Sequence, residues 1–112
     1  MKKNILYIST ISLLVACSTL KTAELSQQDV DKVKAIYPNY TLAELNDGKT
    51  LYSEKCALCH SLKSPTSESS AKWPHIVAEM TNMANEKTLT ISPKQEDLIL
   101  KYLVTMTTTA KK

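Results

Sequence analysis

Apolar residues recur along the chain in four separate patterns. The first is a mainly apolar run from Ile5 to Ala16, directly after the basic pair Lys2 and Lys3. It is short for a membrane-spanning helix and has the layout of an export signal. The second begins at Thr41. Leu42, Leu45 and Tyr52 recur near helical spacing, with Leu51 on the apolar side. Thr41 followed by Glu44 is a capping-box pattern, with the threonine as N-cap. The third runs from Trp73 to Met83. Ile76, Met80 and Met83 fall on one helical face with Val77 beside them, and Pro74 suits a first turn. The fourth opens at Ser92, with Pro93 at the first helical position and Gln95 completing a second capping box. Leu98 and Tyr102 lie one turn apart there, and Ile99, Leu103 and Met106 form the adjoining stripe. No alternating strand pattern occurs near these segments. The expected fold is all-α, with three to four short helices.

The segments between them set the domain plan. Residues 1–16 are expected to be a removable signal and residues 17–40 a tether. Asp29, Val30, Val33 and Ile36 could make a short helical face ended by Pro38, but the spacing is too sparse to bury much; the alternative is that the segment wraps the domain as an extra helix. Residues 41–107 form the expected domain and 108–112 a polar tail. Thr66 to Ser70 reads as a surface loop. Gly48, the only glycine, lies inside the first domain helix. Glycine there costs about 1 kcal/mol relative to alanine. Close approach of another helix is the physical reason that would offset this cost.

The candidate chemistry is concentrated in Cys56-Ala57-Leu58-Cys59-His60. C-x-x-C-H is the spacing of a c-type haem attachment, in which the thiols form thioethers and the histidine reaches the iron. C-x-x-C also serves redox dithiols and zinc. A dithiol oxidoreductase would place the pair after a buried strand, whereas here it ends a helical pattern. For zinc, only two cysteines and one adjacent histidine are clustered. Composition favours a cofactor-nucleated core: the chain has no phenylalanine and one tryptophan, in a domain near the size where a staple helps. All fourteen basic residues are lysines. They are dispersed rather than gathered into a stripe, which argues against nucleic acid as a partner.

Two resemblances extend this reading. Leu14-Val15-Ala16-Cys17 resembles the lipobox of bacterial exported lipoproteins, in which the cysteine becomes the acylated first residue. It implies a lipid anchor at Cys17 on a periplasm-facing membrane surface. Ser18 after the cysteine, by analogy with enteric lipoproteins, points to the outer membrane. The three cysteines then divide into one for lipid and two for haem. Second, Gly48, Tyr52 and Cys56 to His60, followed by the capped closing helix, resemble small monohaem class I cytochromes c over about Leu42 to Met106. The resemblance implies a cytochrome c-like fold wrapped around one haem, covalently held through Cys56 and Cys59. The first helix would cross the last at Gly48. A proline carbonyl, here that of Pro65, would orient the ligand histidine. The implied role is electron transfer between redox protein partners, as a monomer or an accessory of a respiratory or dehydrogenase complex, and not catalysis. Trp73 is the candidate for packing on the haem. Trp-x-x-Ile-Val-x-x-Met looks like a family variant with Met80 as the axial ligand opposite His60. Met83 is the other methionine on that face, and His75 would give bis-histidine coordination. An open iron site, as in a haem enzyme subunit or sensor, and a thiol–disulfide lipoprotein are the remaining alternatives.

Overall fold

The computed structural model describes residues 24–110. The export signal, Cys17, and residues 111–112 lie outside that range. Four helices, α1 (Gln27–Lys32), α2 (Leu42–Lys55), α3 (Trp73–Glu86) and α4 (Pro93–Ala110), are joined by loops that contain two 3₁₀ turns, Cys56–Leu58 and Pro65–Ser67. Among the described residues there is no strand, and no helix is long and apolar enough to cross a membrane. The domain is all-α, in an arrangement compatible with a cytochrome c-like fold.

Reciprocal side-chain caps start three of the helices. Thr41 Oγ1 accepts from Glu44 N–H at 3.2 Å while Glu44 Oε2 accepts from Thr41 N–H at 3.0 Å. Ser92 and Gln95 repeat this at α4, at 3.2 and 3.0 Å. A third box, Ser26 with Asp29, starts α1. Each satisfies donors that a helix start otherwise leaves unpaired.

α4 is the axis of the molecule, packed on by α1, α2 and α3. α2 meets it at Gly48. A Cβ built there would collide with the Leu98 carbonyl oxygen and lie 2.8 Å from Tyr102 Cβ. The glycine thus marks the close helix crossing that its cost implied. Leu45, Ile99 and Leu103 are fully buried at the centre.

Two segments differ from the sequence reading. Residues 24–40, expected as a tether with little to bury, carry Val30, Val33 and Tyr40 into the core. The sparse spacing misleads because α1 builds no core of its own. Two valines one turn apart suffice to cover the flank of α4. At the other end, α4 continues to Ala110, into the stretch from 108 expected to be a polar tail, and Thr107 just before it is buried. Its threonines return their hydroxyls to the preceding turn: Thr105 to the Lys101 carbonyl at 2.6 Å, Thr107 to Leu103 and Thr108 to Val104, both at 2.8 Å. A threonine bonded this way carries its polar group into a helix interface already satisfied.

The end of α3 fixes the next loop. Leu89 N–H bonds the Ala84 carbonyl at 3.0 Å and Thr88 N–H bonds that of Asn85 at 3.3 Å. This is a Schellman cap with Thr88, at φ 70°, in the left-handed position where glycine is usual. The Asn85 amide then clamps Ile91, accepting from its N–H at 2.7 Å and donating to its carbonyl at 3.1 Å.

Candidate cofactor cleft

The C-x-x-C-H motif begins where α2 ends. Cys56 is the C-cap of α2, and its N–H bonds the Tyr52 carbonyl. The chain then tightens into the Cys56–Leu58 turn, which brings Cys56, Cys59 and His60 into the lining of a cleft. α3 contributes Val77, Met80, Thr81, Met83 and Ala84 to the same lining, together with Ile91 and Ile99. Lys55 and Lys87 contribute the remaining lining. The enclosed part of the cleft is small, about 70 Å³, and it opens to solvent.

Both thiols are free; Cys56 is half-buried and Cys59 exposed. Burial, with Cys59 nearby, pushes the Cys56 thiol above its ordinary value. A dithiol oxidoreductase needs the opposite shift, toward thiolate. His60 Nδ1 lies 2.8 Å from the Ser61 carbonyl oxygen. A carbonyl only accepts, so Nδ1 carries a proton, which leaves Nε2 as the nitrogen that could meet a metal.

Met80 and Met83 both line the cleft, Met80 half-buried and Met83 45% exposed. They are three residues apart on one face of α3, so two thioethers look toward the same space. His75 is exposed, paired at 3.9 Å only with Glu79, and is not among the cleft residues. Met106 lies with Pro65 and Tyr102 at a different groove.

Pro65 and Trp73 are joined through a shared set of hydrogen bonds. The Pro65 carbonyl accepts from Trp73 Nε1 at 3.0 Å and from Thr107 Oγ1 at 2.7 Å. His60 engages Ser61 instead. Trp73 is buried in the core and does not line the cleft. Its indole N–H needs a partner once buried, and the Pro65 carbonyl and Thr107 hydroxyl provide one.

Thr81, Ala84, Ile91 and Lys87 were not singled out in the sequence as cleft residues. Thr81 and Ala84 share the α3 face with Val77, so the helical stripe could have pointed to them. Ile91 carried no such signal, because its position depends on the Asn85 clamp.

The residues present suit a haem. Among the described residues no three His, Cys, Asp or Glu side chains converge as a set for a bare metal ion. A macrocycle that brings its own equatorial nitrogens needs only one axial donor from each side. Here an imidazole and a choice of thioethers face an apolar interior with two free thiols at its edge. Comparison with protein-family models, curated proteins and solved structures gives no match to this chain.

Proposed function

We propose that the protein is an electron-transfer protein carrying one haem c, a carrier rather than an enzyme, and a member of the class I cytochrome c family. The observation that supports this best is the cleft itself, whose lining brings Cys56, Cys59 and His60 together with Met80 and Met83. Bound there, haem would supply the Fe(III)/Fe(II) couple. Cys56 and Cys59 would hold it by thioether bonds. His60 would ligate through Nε2, with Nδ1–H held by the Ser61 carbonyl. Such a bond fixes the ring and raises ligand basicity. Met80, the more buried methionine, would supply the opposite ligand, since a thioether raises the potential. Val77, Ile91 and Ile99 would exclude water from the inner edge. Acylation of Cys17 would anchor the exported chain to a periplasm-facing bacterial membrane, the outer membrane by analogy, where it meets its redox partner proteins.

The test is an optical spectrum of the exported, matured protein and of Met80→Ala, reduced and oxidised. Covalent haem in the wild type is expected. The weak near-infrared sulfur–iron band should be lost in Met80→Ala and kept in Met83→Ala. Absence of covalently bound haem overturns the function. Loss of the band in Met83→Ala alone transfers the ligand role to Met83.

A further inference from the structure

The segment that leaves His60 has every second carbonyl taken by a different partner. The Ser61 carbonyl accepts from His60 Nδ1. That of Lys63 accepts from the Tyr52 hydroxyl of α2. That of Pro65 accepts from Trp73 Nε1 of α3 and Thr107 Oγ1 of α4, at 3.0 and 2.7 Å. Three helices therefore grip one short strap. Residues 61–64 have no regular structure and Pro65 opens a 3₁₀ turn, so pinning carbonyls 63 and 65 leaves the short span back to His60 little freedom and restricts the Ser61 carbonyl. That is the carbonyl that orients the imidazole.

We propose that Tyr52 and Thr107 are positioning residues for His60, acting through the strap's backbone. The inference rests on the haem reading for its consequence, but not for its geometry. The Thr107 hydroxyl has one proton, which it shares between the Pro65 carbonyl and its own helix's Leu103 carbonyl at 2.8 Å. It also accepts from Trp73 Nε1 at 3.0 Å. Thr107 is 3% exposed and Trp73 2%, so water does not replace a lost partner, and an unpaired group there carries its full desolvation penalty. The far end of the strap is thus held by a junction whose Thr107 and Trp73 partners are buried, and its middle by the Tyr52 hydroxyl. Neither Tyr52 nor Thr107 is among the residues that line the cleft.

The variants are Thr107→Val, which keeps the shape and removes the hydroxyl, Thr107→Ser, which restores it, and Tyr52→Phe, which removes only the phenol oxygen. The first readout uses the full chain without haem. Trp73 is the only tryptophan, so one indole N–H signal reports the junction. Its hydrogen exchange should be about tenfold faster in Thr107→Val, as expected for losing roughly one buried hydrogen bond. The His60 ring signals should shift in Thr107→Val and Tyr52→Phe and return in Thr107→Ser. The second readout uses the haem-loaded protein, in which the pattern of paramagnetically shifted haem methyl signals reports the plane of the axial imidazole. That pattern should change in both removal variants and revert in Thr107→Ser. Reduced melting temperature with unmoved His60 signals and an unmoved methyl pattern overturns the proposal, leaving the junction purely structural. If the wild type itself binds no haem, the functional reading fails, and the His60 signals of the haem-free chain still decide the positioning role.

Discussion

At the scale of single residues, two backbone positions carry opposite lessons. Gly48 was legible because glycine is unfavourable inside a helix, so its presence asks for a reason. The reason is the Leu98 carbonyl and Tyr102 Cβ of α4. Gly48→Ala gains about 1 kcal/mol of helix propensity but forces α2 and α4 apart, and overpacking of this kind costs about 1–3 kcal/mol. The clash is with backbone, which cannot swing away, so the balance is unfavourable. Urea denaturation should show a net loss of about 1 kcal/mol or more, larger for Gly48→Val. A stabilised Gly48→Ala would mean that the helices separate freely. Thr88 was not legible. Nothing in Lys-Thr-Leu announces a Schellman cap, and a β-branched residue at φ 70° is the opposite of the usual choice. The left-handed conformation costs an L-residue roughly 1–2 kcal/mol. Thr88→Gly should therefore raise stability by about 1 kcal/mol after the entropy of the freer unfolded chain is subtracted. A matching rise in melting temperature checks it.

At the scale of elements, the helices that announce themselves by caps and periodicity were readable. Thr41–Glu44 and Ser92–Gln95 fix the starts of α2 and α4 from four letters each, because a capping box is a local, sequence-contiguous device. What was not readable depends on a partner. α1 shows only two buried valines, and their worth appears only when α4 is beside them. Thr107 looks polar in sequence and is satisfied only within α4 and against Pro65. The Pro65 carbonyl has no sequence signature at all, so its expected bond to His60 was read from resemblance and found taken by α3 and α4. The same reasoning makes α1 testable. Val33 is fully buried, and removing its two methyl groups should cost about 2 kcal/mol, a transfer loss plus a cavity. Val33→Ala should lower the unfolding free energy from urea denaturation by that amount, while Ile36→Ala, at an exposed position, should change it little. Equal, negligible effects would return residues 24–40 to the role of a loose leash.

At the scale of the whole molecule, the four described tyrosines hold α4 from two sides. Tyr52 and Tyr102 pack at 5.8 Å between ring centroids across the α2–α4 crossing. On the other flank Tyr37 and Tyr40 also pair at 5.8 Å, and Lys101 of α4 sits 5.5 and 5.9 Å from their ring centroids while bonding Asp97 at 2.7 Å. Burial raises the pKa of all four phenols above the ordinary value. Tyr40 is the most affected, and its hydroxyl is buried without a hydrogen-bond partner. The Asp97 hydrogen bond raises that of Lys101. In each case the folded chain holds a proton more tightly than the unfolded chain does. Between the unfolded and folded values the unfolded state binds fewer protons, so stability falls as pH rises. The contribution is fully present below about pH 10, where free tyrosine and lysine begin to titrate, and is lost above it. Both flanks of α4 lose their packing together, because ionising any of these phenols places a charge inside an interface between helices. The expected outcome is a denaturation midpoint unaffected by these groups from neutral pH to about 10, then a steep cooperative decline. Tyrosinate absorbance should appear together with the loss of helical circular dichroism. Tyr40→Phe should move that alkaline transition upward, since it removes the most strongly shifted phenol and an unpaired buried hydroxyl at once. Complete tyrosinate titration with the helices still intact would show that the rings ionise in place, and would sink the claim that their burial holds the two sides of α4 together.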